Sequence, residues 1–162
     1  MITKHQTHFT KEVNKKRILI ERDFDAPVEE VWNAWTQADV LDTWWAPRPW
    51  KTETKSMDFR AGGRWLYVMA GPEGEQHWCL VDYKTIDPLK SFTAVDAFCD
   101  ENGNKADDGT NWKNEFIKSG NGSKMKIELR FSTEEYMKKI TDMGFEGGFT
   151  MALGNLDEIL AK

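Results

Sequence analysis

The cleanest pattern in the chain is an alternation centred on residue 127. Met125, Ile127, Leu129 and Phe131 alternate with Lys124, Lys126, Glu128 and Arg130. A period of two puts one set on a buried face and the other in water, which predicts a strand of an antiparallel sheet. Gly120-Asn121-Gly122 is a hairpin turn of a favoured type, so residues 112–118 form the preceding strand. Residues 92–98, 77–86 and 65–69 also read as strands; in the last, Trp65, Tyr67 and Met69 alternate against Leu66 and Val68. Residues 51–59, rich in Thr and Lys, read as an exposed strand, and the β-branched residues of 17–24 as the first strand. Residues 100–109 are polar and rich in Gly, Asn and Asp, so they form a loop. Residues 1–14 are polar and unpatterned and read as a loose N-terminal arm, leaving 15–162 as a single domain.

The period changes twice. After Asp25-Ala26-Pro27, the residues Val28, Val31, Trp32 and Trp35 recur at helical spacing, with proline in a first turn where its missing N–H does no harm. A second short helix spans 39–44, with Asp39 as N-cap, and Pro47 and Pro49 forbid its continuation. Beyond the last strand, Ser132 and Glu135 have the spacing of a capping box, opening a helical stretch to about residue 142. Gly144 and Gly147-Gly148 interrupt it. A second stretch then places Phe149, Ala152, Leu153, Leu156, Ile159 and Leu160 on one face. The order predicts an α+β domain: a curved antiparallel sheet of six or seven strands, two short helices after the first strand, and a long C-terminal helix across one sheet face. The gap between sheet and helix is a natural cavity.

Composition narrows the function. The net charge of -5 argues against a nucleic-acid binder and against an anionic membrane surface as partner. No segment resembles a signal peptide or a membrane span, so the expected location is the cytoplasm, with Cys79 and Cys99 as reduced thiols. The outlying count is eight tryptophans. So many large aromatic faces suit either a core of big residues or the wall of a cavity.

Three motifs resemble a known family. The first is Phe24-Asp25-Ala26-Pro27-Val28-Glu29-Glu30-Val31-Trp32-Asn33-Ala34-Trp35-Thr36. The second is Trp44-Trp45-Ala46-Pro47 followed by Met57-Asp58-Phe59-Arg60-Ala61-Gly62-Gly63. The third is Gly148-Phe149 with Leu153, Leu156 and Leu160, where the family usually has Gly-Trp and the same leucine spacing. Together they resemble the START-like (SRPBCC) superfamily, in the branch named for homology to the activator of the heat-shock-protein-90 ATPase, from about Arg17 to the end of the chain. The resemblance implies a helix-grip fold with a hydrophobic tunnel. Members include lipid carriers, polyketide cyclases, antibiotic-sequestering proteins and chaperone regulators, so fold alone does not choose among these functions.

The candidate cavity wall comprises Trp65, Tyr67 and Met69 from one strand, Trp78, Phe92, Asp96, Phe98 and Trp112 from others, and Met143, Phe149, Met151 and Leu153 from the C-terminal segment. The same residues also fit a solid core. Trp44 and Trp45 are candidates for the cavity mouth; adjacent residues cannot share one helix face, so one packs inward while the other guards the entrance or sits in an interface. Asp96, Tyr67 and Trp78 are candidates to orient a ligand. For acid–base chemistry the candidates are Asp82, Asp96 and Glu115, each inside an apolar strand, but no catalytic triad is legible. His77, Cys79 and Cys99 lack the paired spacing and the fourth ligand of a metal site, and no cofactor is implied. The sequence therefore points first to non-catalytic binding of a small hydrophobic or amphipathic molecule. A chaperone-regulating module active in stress response and a cyclase- or hydrolase-like enzyme remain the alternatives, and monomer and homodimer both stay open.

Overall fold

The alternating run becomes the centre of one antiparallel sheet in a computed structural model that describes residues 6–161. The strands are β1 (His8–Glu12), β2 (Arg17–Phe24), β3 (Lys51–Met57), β4 (Arg64–Ala70), β5 (Gln76–Asp87), β6 (Ser91–Phe98), β7 (Thr110–Ser119) and β8 (Gly122–Phe131). The helices are α1 (Val28–Thr36), α2 (Ala38–Trp44), α3 (Glu134–Asp142) and α4 (Phe145–Leu160). The sheet order is β1-β2-β8-β7-β6-β5-β4-β3, so only the β2–β8 contact joins strands distant in sequence.

Alternation decides what faces the helices. Odd residues of β4, β5 and β8 and even residues of β2, β6 and β7 join α1, α2 and α4 in one apolar cluster. Within it, the Trp32 ring stands edge-on to Phe116 at 5.0 Å and to Phe92 at 6.0 Å. Part of the aromatic excess is thus solid core under α1. The opposite sheet face carries a small cluster of Leu66, Leu80 and Ala97 with Trp78 and Cys99 against it. The loop after β6 folds over this face: Cys99 bridges to Lys105, and Arg64 Nη1 donates to the Gly103 carbonyl at 2.9 Å.

The sheet has eight strands among the described residues, where the sequence predicts six or seven. The additional strand lies inside the predicted loose arm. β1 pairs with β2 from His8↔Glu21 to Glu12↔Arg17, Phe9 packs edge-on against Phe145, and Arg17 Nε donates to Glu12 at 2.6 Å. Its polar composition is that of an edge strand with one face in water. Residues 1–5 of the arm lie outside the described residues.

Local signals moved by one or two positions. Thr133, not Ser132, caps α3, its hydroxyl accepting from the Tyr136 N–H at 3.0 Å. Pairing of Phe131 with Thr110 carries β8 to residue 131 and delays the helix. Gln37 rather than Asp39 is the N-cap of α2, and Asp39 sits in the first turn. The break between the C-terminal helices falls at Gly144, whose φ of 88° is in the left-handed region. Gly147-Gly148 lies inside α4 and does not interrupt it. Among the described residues no helix is long and apolar enough to cross a membrane.

Candidate ligand cavity

A cavity of about 210 Å³ lies between the sheet and the two C-terminal helices. β4 contributes Tyr67 and Met69, β6 contributes Asp96 and Phe98, and β7 contributes Thr110 and Trp112. Each pair is two residues apart, so one strand face supplies both. β8 adds Leu129 and Phe131 by the same rule. On the helical side, Tyr136 and Ile140 come from one face of α3, and Phe145, Gly148 and Phe149 from one face of α4. Trp45 and Pro47 close the remaining side.

The wall is apolar except for a few groups, most of them on its sheet side, with the Tyr136 hydroxyl on the helical side. Trp45 Nε1 donates to the Tyr67 hydroxyl at 2.9 Å, and the Tyr67 ring stacks on Trp65 at 4.0 Å. The Asp96 carboxyl is raised to about 7. Burial is the main cause, and the charge of Asp107 adds to it. The Trp112 indole and the Thr110 backbone N–H favour the charged form and limit the rise. The indole N–H lies close to the carboxyl but falls short of hydrogen-bond geometry. Burial also pushes the Cys79 thiol up to about 12 and drives the hydroxyls of Tyr67 and Tyr136 upward. At neutral pH those three groups stay protonated, and Asp96 is the member of the set that titrates there.

A second chamber of about 30 Å³ adjoins the first. Trp45, Asp96 and Trp112 belong to both linings. The remainder of its wall includes Trp35, Trp65, Val81, Phe92 and Asn114.

The sequence candidates separate accordingly. Tyr67, Met69, Asp96, Phe98, Trp112 and Phe149 meet at the larger cavity, and Trp45 with them. Trp65 and Phe92 face the smaller chamber. Five candidates lie elsewhere. Trp44 is in the core, 1% exposed, its indole donating to the Ala34 carbonyl at 3.0 Å, so of the adjacent pair only Trp45 reaches the cavity. Trp78 is on the opposite sheet face, because Tyr67 pairs with Cys79 and Trp78 pairs with Val68. Leu153 is in the core beneath the cavity, fully buried. Met143 caps the end of α3 in solvent, and Met151 stands two residues, hence about 200°, around α4 from Phe149.

The other acid–base candidates have ordinary surroundings. Asp82 accepts from Arg64 Nε at 2.6 Å and pairs with Lys105 at 3.4 Å; burial works against its charge, but these two cations hold it below its ordinary value. Glu115 pairs across the sheet with Lys126 on the outward face. His77 packs on Trp50 at 5.3 Å. Among the described residues no three His, Cys, Asp or Glu converge as metal ligands. The reading of the sequence omits Leu129, Phe131, Tyr136, Ile140 and Phe145 from the wall. The first two were visible in the cleanest alternation of the chain, and Tyr136 and Ile140 in their spacing of four.

A family model described as activator of Hsp90 ATPase homolog 1-like protein matches residues 25–161. The chain belongs to this family. Solved structures of similar chains agree. A protein from Arthrobacter aurescens is 30% identical, with a TM-score of 0.89 over 95% of this chain and 91% of that one. A protein from Mycobacterium smegmatis is 25% identical, with a TM-score of 0.88 over 96% and 97%. An AHSA1 protein from Silicibacter pomeroyi, 20% identical with a TM-score of 0.68 over 90% and 97%, shares the fold. No curated protein matches the sequence. The START-like α+β architecture of this Hsp90-activator-homologue-like family is thus the architecture seen here.

Proposed function

We propose that this family member binds a small, mainly apolar molecule in the cavity between the sheet and α3–α4. The observation that carries the reading is the cavity itself: about 210 Å³, walled by aromatic and aliphatic side chains, with Asp96 among them. The volume is below the roughly 300–1,000 Å³ of drug-sized sites, so the occupant is of one or two rings rather than a long lipid. Burying its surface at about 25 cal/mol per Å² supplies the affinity.

Native mass spectrometry of freshly purified protein tests the reading. A small retained mass is expected, and after its removal naphthalene should shift the NMR resonances of Met69, Leu129 and Ile140. No retained compound and no such shifts would remove it.

The family description supports a second reading, a chaperone-regulating module working through its outer surface. Met143 and Met151 are exposed on the outer side of the C-terminal helices, where a protein could dock. Pull-down with an Hsp90 homologue and an ATPase assay decide it; no binding and no stimulation would end it.

A further inference from the structure

Three buried residues with polar atoms surround the smaller chamber. Trp35, Trp112 and Asn114 are 3%, 8% and 1% exposed. Trp35 Nε1, Trp112 Nε1 and Asn114 Oδ1 have no hydrogen-bond partner among the described residues. All three residues line the same chamber of about 30 Å³. A buried polar group left without a partner is disfavoured; Trp35 Nε1 and Asn114 Oδ1 have none, and Trp112 Nε1 has only the poorly aligned Asp96 carboxyl beside it, so the small space calls for an occupant.

Their chemistry specifies it. Two are N–H donors and the third is an amide oxygen. An oxygen bearing one proton answers all three: its lone pairs accept both indole N–H groups and its O–H donates to Asn114. A ketone leaves Asn114 unanswered. An ammonium group opposes two donors with three more. A carboxylate meets the carboxyl of Asp96, which lines the same chamber. The partition from the larger cavity consists of Trp45, Asp96 and Trp112, with the two indole rings tilted and 6.0 Å apart. A molecule with an apolar body on one side of it and a single hydroxyl on the other matches both linings.

We propose that the small chamber is the head-group subsite of the ligand cavity and takes the hydroxyl of a compact phenol or alcohol. This rests on the binding reading above. A water molecule carries the same chemistry, and the experiment separates the two.

The probes are 2-naphthol and naphthalene, titrated by NMR into wild type, Asn114→Leu and Trp112→Phe. Naphthol is expected to bind wild type about tenfold more tightly, against the order of their hydrophobicity, which is one hydrogen-bonded oxygen's share of affinity at about 1.4 kcal/mol. The preference should vanish in both variants, while naphthalene binds Asn114→Leu as it binds wild type. Leucine removes a buried oxygen without a partner, so that variant should fold. Naphthalene binding with no preference for naphthol in wild type, or a preference that survives in both variants, overturns the subsite and leaves the chamber to water, with the cavity reading intact. Binding of neither probe overturns both.

Discussion

Asp96 lines the cavity, and burial of its carboxyl there keeps it protonated to about pH 7. In the unfolded chain the same group ionises near about 3.9. Between those values the unfolded state releases a proton that the native state retains, so this residue lowers stability progressively as pH rises from about 4 to about 7, with the full penalty above. The groups around it are Asp107, whose charge deepens the effect, and Thr110 and Trp112, which oppose it. Asp96→Asn should therefore be more stable than wild type by up to about 4 kcal/mol at pH 8, with the gap closing toward pH 4. Urea titrations at the two pH values check this, and a difference that does not change with pH counts against it. Asp96 was one of three carboxylates in apolar strands picked from the sequence. Asp82 and Glu115 look the same in sequence, but both sit on the outward face, beside Arg64 and Lys126 respectively.

At the scale of elements, α4 carries much of the site and is tied down by polar contacts near its end. Asn155, 5% exposed, donates from Nδ2 to the Ala46 carbonyl at 3.2 Å, which fixes the segment after α2 that brings Trp45 to the cavity. Asp157 accepts two hydrogen bonds from Arg22, a residue of β2 that is 3% exposed. Removing Asp157 leaves Arg22 with only the Thr7 hydroxyl and the Asp23 carbonyl as hydrogen-bond partners among the described residues, and because Asp157 is partly exposed the cost is about 2 kcal/mol. Asp157→Ala should lose that amount in denaturant unfolding, and the double replacement Arg22→Met with Asp157→Leu should recover most of it. If the double variant is no more stable than Asp157→Ala, Arg22 gains little from its partner. The helical period of α4 was legible in the sequence because it is local. Its anchoring to a strand 135 residues away in the chain was not.

The whole molecule sets the cavity through one joint. Gly144 lies between α3 and α4 at a φ of 88°, and a Cβ there would meet nothing within 4 Å. Gly144→Ala is therefore strained by backbone conformation alone, about 1–2 kcal/mol. Its melting temperature should fall, and naphthalene should bind more weakly, because Tyr136 and Ile140 on one side of the joint no longer meet Phe145 and Phe149 on the other. An unchanged melt would mean that the chain relaxes freely at this point. The order of strands and helices, the break at this joint and the inward sets Trp65-Tyr67-Met69 and Leu129-Phe131 follow from the sequence by itself. They arise from sterics and periodicity between near neighbours along the chain. Tertiary structure alone decided that Trp45 reaches the cavity while Trp44 fills the core, that Trp78 lies on the far sheet face, that residues 8–12 add an edge strand, and that Trp35, Trp112 and Asn114 converge on one chamber. Strand register and helix rotation are settled by packing between distant segments, and a pattern within one segment carries no record of its partner.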